Sequence, residues 1–226
     1  MTSGALGLRR REKPFDTALR EVLKTLLSAV CGFPKPSACA REKRMEIEKT
    51  PLEGLLVLKP KVFEDTRGFF FESYNAAEFA RAGIHIQWVQ DNHALSVRDT
   101  LRGLHFQRGP GQPKLVRCTL GVIWDVAVDI RPDSPTLGQW HGMDLSAENK
   151  LMLLIPGGFA HGYAVLSDKA EVQYKCGTLY DPKLEDQIQW NNPDLAVRWP
   201  VVSPILSQRD LSAQSFKEYL KSVGKQ

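Results

Sequence analysis

Alternation of side-chain type along residues 122–130 is the feature that most restricts how this chain can fold. Every second residue from Val122 to Ile130 is apolar, and the residues between them include Asp125 and Asp129. Side chains of a β-strand point alternately to its two faces, so a period of two indicates a strand. We therefore predict a strand with two different faces, one carrying Val122, Trp124, Val126, Val128 and Ile130 and the other Ile123, Asp125, Ala127 and Asp129.

Similar short runs recur from Met45 onwards, separated by Gly, Pro, Asn and Asp. They are rich in β-branched and aromatic residues and predict further strands at 55–63, 69–74, 86–90, 114–120, 151–155 and 172–179. Gly121 predicts a tight connection between two of these runs, and short helices are predicted at 76–82 and 215–223. The predicted fold is all-β, an antiparallel sandwich or barrel, with a jelly roll as the favoured form.

Residues 1–44 differ from the rest of the chain in charge. They contain ten Lys and Arg against four Asp and Glu, a net charge of +6, which leaves −2 for residues 45–226. A near-neutral main domain has no broad basic surface, so nucleic acid is not an expected partner. We predict a basic N-terminal extension over residues 1–44, disordered or loosely attached, and one domain over residues 45–226. A transit peptide is the alternative for the extension, although the acidic Glu12, Asp16 and Glu21 are unusual in such segments.

The four cysteines, Cys31, Cys39, Cys118 and Cys176, form no CxxC pair and have no zinc-ligand spacing. Reduced thiols are typical of the cytoplasm, which is the predicted location. The longest apolar stretches are much shorter than the roughly 20 residues that span a bilayer, so no membrane partner is expected.

A series of motifs follows in order along residues 65–191. They are DTRGFFFE at 65–72, QDNH at 90–93, RGLHFQ at 102–107, KLVR at 114–117, DVAVDIR at 125–131, SPT at 134–136, LSAENK at 145–150, IP at 155–156, GFAHG at 158–162, AE at 170–171, YK at 174–175 and WN at 190–191. With these motifs, the chain from Met45 to Leu220 closely resembles the dTDP-4-dehydrorhamnose 3,5-epimerase family, metal-independent members of the cupin jelly rolls.

The resemblance implies an isomerase that inverts carbons 3 and 5 of a 4-keto-6-deoxyhexose carried on dTDP, in the pathway to dTDP-L-rhamnose. Both carbons flank the ketone, so each hydrogen can leave as a proton through an enolate. The implied catalytic groups are His105 as base, Tyr174 as acid on the opposite face and Lys114 as the cation near the reacting sugar. Asp210 is implied to orient His105, but Ser207 and Asp210 also form a capping-box pattern for a C-terminal helix.

The resemblance also implies substrate contacts by Arg67, Glu72, Gln90, Asn92, Arg102, Lys114, His161, Tyr180, Glu185 and Arg209. Arginine suits a pyrophosphate because its guanidinium binds two oxygens at once. Tyr180 matches the ring that stacks on thymine. Asp125 matches a buried acid near His161, and orientation of His161 and an internal salt bridge are both open roles for it. Arg209 departs from the family pattern, in which a lysine is common at this place.

No cofactor is expected. Metal-binding cupins carry a His-x-His pair, but Gln107 occupies the place of the second histidine after His105, and His161 alone cannot complete a site. The chain has neither a GxGxxG motif nor a Walker loop, so no nicotinamide, flavin or ATP is implied.

The expected partners are the nucleotide-sugar substrate and a second copy of the chain. The resemblance implies a homodimer in which an N-terminal strand of one subunit completes the sheet and site of the other, and Arg67 or Glu72 could then serve the neighbouring pocket. Three alternatives stay open: an epimerase that inverts a single carbon of a related deoxysugar, a non-catalytic jelly roll that binds nucleotide sugars, and a metal-dependent cupin.

Overall fold

The computed structural model describes residues 45–224, and the predicted extension over residues 1–44 lies outside them. The described part consists of antiparallel strands with three short helices. The helices are α1 (Ala76–Arg81), α2 (Gln208–Leu211) and α3 (Phe216–Ser222). The strands are β1 (Met45–Lys49), β2 (Leu56–Pro60), β3 (Phe63–Asp65), β4 (Gly68–Phe70), β5 (Gln90–Val97), β6 (Leu101–Gln107), β7 (Lys114–Leu120), β8 (Val122–Asp129), β9 (Trp140–Ser146), β10 (Met152–Ile155), β11 (Phe159–Val165), β12 (Lys169–Cys176) and β13 (Glu185–Gln187).

Two sheets make up the domain. One has six strands in the order β1-β2-β10-β7-β12-β5, and the other has five in the order β13-β6-β11-β8-β9. Strands β3 and β4 form a separate hairpin. Most neighbours in sheet order are distant in sequence, as in a jelly roll, and the all-β prediction is confirmed.

The alternation along β8 is confirmed, and both of its faces are buried. Ile123 and Ala127 belong to the apolar cluster between the two sheets, together with Val116 and Val172 from the six-stranded sheet. The other face, which includes Val126 and Val128, packs against Leu195, Phe216 and Tyr219 of the C-terminal segment. Asp125 and Asp129 are fully buried, so charged groups here need partners inside the protein.

The predicted tight connection at Gly121 joins β7 of one sheet to β8 of the other. Its φ is +73°, and a Cβ there would lie 2.2 Å from both Lys169 O and Ser167 Oγ. Glycine is therefore required for conformation and for space.

The predicted strands at 69–74 and 86–90 are wrong for most of their length. The first is a strand only over Gly68–Phe70, and only Gln90 of the second is in a strand, at the start of β5. Residues of these segments, among them Tyr74, Ile86 and Trp88, pack instead with Phe79 of α1 on the outer face of the six-stranded sheet. Strands β1, β6, β9, β11 and β13 and most of β3 and β5 were not predicted.

Both predicted helices are confirmed. Asn75 caps α1, and Ser215 with Glu218 forms a capping box at α3. Within residues 45–224, no helix has the length and apolar character needed to cross a membrane.

Candidate active site

The candidate site lies between the two sheets. His105 of β6 stands directly opposite His161 of β11, which in turn stands opposite Ala127 of β8. Directly paired residues share a face, so His105 and His161 face the apolar cluster that contains Ala127. Tyr174 of β12 packs against the same cluster from the six-stranded sheet. The predicted base and acid therefore belong to opposite walls of one interior.

Asp210 binds His105 and caps α2 at the same time. Its Oδ1 lies 2.6 Å from His105 Nε2, and its Oδ2 accepts a 2.6 Å bond from Ser207 Oγ. Burial would raise the pKa of Asp210, but the bonds from His105 and Ser207 prevail and lower it. An ionised carboxylate accepts the Nε2 proton, which leaves the lone pair on Nδ1 of His105. Both contacts that the sequence suggested for Asp210 are present together.

Tyr174 and Lys114 are the titratable groups of the facing wall. Burial raises the pKa of Tyr174 to about 12, so its hydroxyl keeps its proton at neutral pH. Lys114 is 8% exposed, and burial lowers its pKa, although Cys176, Asp125 and Glu185 oppose the change. Among the described residues, Lys114 has no hydrogen-bond or ion-pair partner. Its ammonium group is therefore available to an anion in the cavity.

His161 forms a second histidine–carboxylate pair, and this one is buried. Its Nε2 lies 3.0 and 2.9 Å from the two oxygens of Asp125. The predicted proximity of Asp125 to His161 is confirmed, and the orienting role of Asp125 stays a prediction.

Gln90 and Asn92 lie beside Tyr174 on β5. Gln90 Nε2 donates to Asn92 Oδ1 at 3.1 Å, and Asn92 pairs with Tyr174 across the strands. Asn92 Nδ2 donates to the buried thiol of Cys176 at 3.4 Å. Gln90 Oε1 accepts a hydrogen bond from the backbone N–H of Tyr180 at 2.9 Å. The side-chain oxygen of Gln90 therefore helps to position the Tyr180 loop.

Tyr180, Glu185 and Arg209 come together at the edge of the site. The Tyr180 hydroxyl donates to Glu185, which also pairs with Arg209. Arg209 Nε donates to Gln187 Oε1 at 2.7 Å. Burial would raise the pKa of Glu185, but its bonds with Arg209 and Tyr180 lower it, so this carboxylate is ionised.

Arg102 and Arg67 differ in their relation to the interior. Arg102 lies on the same strand as His105, donates from Nε to Ser96 Oγ at 3.1 Å, and opposes the rise in the pKa of Tyr174. Arg67 lies in the β3–β4 turn with its side chain 87% exposed, and its guanidinium binds Asp65 of the same turn. Glu72 follows this hairpin and accepts a bond from Asn75 Nδ2 at 3.3 Å. Within residues 45–224, the side chain of Arg67 bonds to Asp65 and to none of the other candidate site residues.

Sequence reasoning missed the contacts of Ser96, Gln187 and Gln107. Gln107 is 7% exposed, and its side-chain amide binds the backbone on both sides of Tyr180. Its spacing of two residues from His105 on one strand was the available signal for an inward side chain. Among the described residues, no group of three His, Cys, Asp or Glu side chains could hold a metal ion. The absence of a metal stays a prediction.

The comparisons with known proteins point to one family. The model of the family described as dTDP-4-dehydrorhamnose 3,5-epimerase matches residues 49–218. The dTDP-4-dehydrorhamnose 3,5-epimerase of Salmonella typhimurium is 52% identical over 172 residues, which cover 75% of this chain and 94% of that protein.

Solved structures agree with the sequence comparison. The dTDP-6-deoxy-D-glucose-3,5-epimerase of Legionella pneumophila, in complex with dTDP-4-keto-L-rhamnose, has a TM-score of 0.74 at 44% identity, covering 76% of this chain and 93% of that one. ChmJ of Streptomyces bikiniensis, a 3'-monoepimerase in complex with dTDP-quinovose, has a TM-score of 0.72 at 32% identity, covering 77% and 89%.

Proposed function

The chain belongs to the dTDP-4-dehydrorhamnose 3,5-epimerase family, and we propose that it inverts carbons 3 and 5 of dTDP-4-dehydro-6-deoxy-D-glucose. The product is dTDP-4-dehydro-L-rhamnose, an intermediate of dTDP-L-rhamnose biosynthesis. The observation that carries the proposal is the placement of His105 and Tyr174 on opposite walls of one interior. Inversion of a carbon next to a ketone needs a base on one face and an acid on the other.

His105 is the base. Asp210 holds the proton on Nε2, so Nδ1 takes a proton from the substrate carbon. The resulting imidazolium is stabilised by the ionised Asp210 beside it, as in other histidine–carboxylate pairs. The His105 side chain is 29% exposed, so substrate can reach it.

Tyr174 is the acid, and Lys114 stabilises the enolate. Because the pKa of Tyr174 is about 12, it carries the proton that carbon receives on the face opposite His105. Negative charge develops on the ketone oxygen in the enolate. The Lys114 ammonium, buried without a protein partner among the described residues, would meet that oxygen, and such a preorganised donor contributes about 10²- to 10³-fold in rate.

The other polar groups suit the nucleotide. Arg102 and Arg209 supply the cations for the pyrophosphate, and the exposed ring of Tyr180 supplies a face for thymine. His161, which contacts Asp125, suits a hydrogen bond with the sugar.

Proton exchange tests the proposal directly. The protein is incubated with dTDP-4-keto-6-deoxy-D-glucose in heavy water, and the sugar is followed by NMR. We expect deuterium at carbons 3 and 5 together with the L-lyxo product, and His105→Ala as the control should show neither. No exchange with folded protein would exclude the epimerase activity and favour a nucleotide-sugar-binding module.

A single-carbon epimerase is the second candidate, favoured by the similarity to the 3'-monoepimerase ChmJ. The same base, acid and cation serve one inversion as well as two. Deuterium and inversion at one carbon only would identify this activity.

The β3–β4 hairpin supports a homodimer. Phe69 and Phe70 are 59% and 66% exposed there, beside the exposed Arg67. Exposed aromatic side chains grouped with a charge are typical of a protein interface. In this single copy β1 pairs with β2 of its own chain, and the exchange of an N-terminal strand in the dimer stays a prediction. We place the enzyme in the cytoplasm, in keeping with the free thiols of Cys118 and Cys176.

A further inference from the structure

The Tyr180 side chain is exposed but firmly held. It is 49% exposed, and its hydroxyl donates to Glu185. Its backbone N–H donates to Gln90 Oε1 at 2.9 Å. Such fixation of both the ring hydroxyl and the backbone of one residue is unusual at a surface, where side-chain rotamers ordinarily exchange freely.

Gln107 holds the backbone on both sides of Tyr180. Its Oε1 accepts the N–H of Asp181 at 2.7 Å, and its Nε2 donates to the carbonyl of Leu179 at 3.3 Å. Nε2 also lies 3.5 Å from Thr178 Oγ1. Both ends of this buried amide are therefore used by the loop.

The loop over residues 177–184 crosses from the six-stranded sheet to the five-stranded sheet and is attached to both. Gln90 binds it from β5, and Gln107 binds it from β6. Gln107 pairs across the strands with Glu185, the acceptor of the Tyr180 hydroxyl. Gln107 and Glu185 therefore hold the loop backbone and the Tyr180 hydroxyl from neighbouring positions of the five-stranded sheet, while Gln90 holds the loop from the other sheet.

We propose that Gln107 is a positioning residue that holds Tyr180 ready as the face on which the nucleobase of a nucleoside-diphosphate sugar stacks. The inference rests on the proposed function, which supplies the contact between Tyr180 and the base. A mobile aromatic side chain loses conformational freedom when it binds a ligand, whereas a fixed one has lost it already. Gln107 should therefore control ligand affinity and KM, although it lies on the same strand face as His105.

A double-mutant cycle tests this role. Gln107→Met removes both polar ends at similar volume, and Tyr180→Ala removes the ring. We expect Gln107→Met to weaken dTDP binding in calorimetry by about three- to tenfold, the range expected for ordering one side chain and its loop. It should raise KM with little change in kcat. The double variant should bind dTDP about as weakly as Tyr180→Ala alone, because Gln107 acts through Tyr180.

Gln189→Met is the matched control, because Gln189 is a half-buried glutamine whose Oε1 accepts from Asn192, away from the Tyr180 loop. It should leave dTDP affinity unchanged. Gln107→Glu keeps the acceptor for the Asp181 N–H and loses the donor to the Leu179 carbonyl, so its dTDP affinity should be intermediate. This variant tests the role of Gln107 if Gln107→Met does not fold.

Additive losses in the double variant, or unchanged affinity in folded Gln107→Met and Gln107→Glu, would overturn the inference. A fall in kcat at unchanged affinity would do so too and would assign Gln107 to the chemistry. These results differ from failure of the proposed function, in which wild-type protein would not bind dTDP or Tyr180→Ala would bind it as well as wild type.

Discussion

The two oxygens of Asp210 have separate tasks, and this division can be tested residue by residue. Oδ1 binds His105, and Oδ2 binds Ser207 at the start of α2. An amide at this position can offer an N–H to the imidazole and favour the wrong tautomer. Asp210→Asn should therefore lower kcat by about 10²- to 10⁴-fold, as in other histidine–carboxylate pairs, with dTDP affinity retained.

Ser207→Ala is the companion variant for Asp210→Asn. It removes the cap and leaves the bond between Asp210 and His105 in place, so it should cost about 1 kcal/mol in the free energy of unfolding with a much smaller change in kcat. Equal losses of kcat in both variants would show that the capping role alone explains the position of Asp210.

Lys114 should set the alkaline limit of the reaction. Burial lowers its pKa below 10.5, whereas that of Tyr174 is about 12. As pH rises, Lys114 therefore loses its charge first, and kcat/KM should fall through the Lys114 pKa. Lys114→Arg should move this limb to higher pH, because arginine stays protonated. If the alkaline fall in kcat/KM stayed at the same pH in Lys114→Arg, that fall would belong to the titration of another group.

At the scale of elements, the alternation of β8 was readable from sequence, but β9 and β11 were not. Each contains a glycine that lowers strand propensity and that packing requires. A Cβ at Gly142 of β9 would lie 2.2 Å from the Trp124 ring, and one at Gly162 of β11 would lie 2.9 Å from Arg102 O. The reason for these glycines is contact with a neighbouring strand, which the local sequence pattern does not contain.

The candidate site likewise contains residues that the sequence predicted and contacts that it did not. His105, Tyr174 and Lys114 were recognised because motifs and alternation mark them, and all three face the interior. The contacts of Gln107 with residues 178–181 could not be predicted, since they depend on a loop that crosses between the sheets.

The loop after β8 depends on one buried carboxylate. Asp129 is bound by Arg131, Ser134 and Thr136 at 2.5 to 3.0 Å. Burial would raise its pKa, but these bonds lower it from 3.8 to about 2. The shift corresponds to about 2 kcal/mol of stability, present above about pH 4 and lost as pH falls through about 2.

Asp129→Asn should therefore lower the free energy of unfolding by at least about 2 kcal/mol at pH 7, and the difference from wild type should narrow at pH 3. Urea unfolding at both pH values measures it. Asp168→Asn is the surface control, since Asp168 pairs with Arg98 in solvent and such pairs contribute little. If the difference in the free energy of unfolding between Asp129→Asn and wild type were the same at both pH values, the loss of stability would not come from the ionisation of Asp129.

At the scale of the whole molecule, the family match covers residues 49–218 and leaves residues 1–44 outside. We therefore expect a protein that starts at Met45 to keep wild-type kcat/KM, because every site residue lies in the retained part. A large loss of kcat/KM, with the melting temperature unchanged, would show that the extension contributes to the site.

The proposed dimer predicts that Arg67 serves the site of the partner. Its guanidinium binds Asp65 of its own hairpin, whereas His105 binds Asp210. Arg67→Ala and His105→Ala should each lose activity, Arg67→Ala through weaker substrate binding. When the two variants are unfolded together and refolded, each mixed dimer would contain one site with an intact His105 and an Arg67 from the other chain. Random pairing should restore about a quarter of wild-type activity.

Mixing without refolding is the control and should restore activity only as fast as the subunits exchange. If Arg67 acts on the site of its own chain, the mixed dimer has no complete site, and activity should stay at the level of the separate variants. Because a chain that carries the His105→Ala substitution cannot supply the base to any site, recovery can come only from Arg67 donated across the interface. The same mixture therefore tests whether the protein is a dimer and whether the β3–β4 hairpin of one chain serves the site of the other.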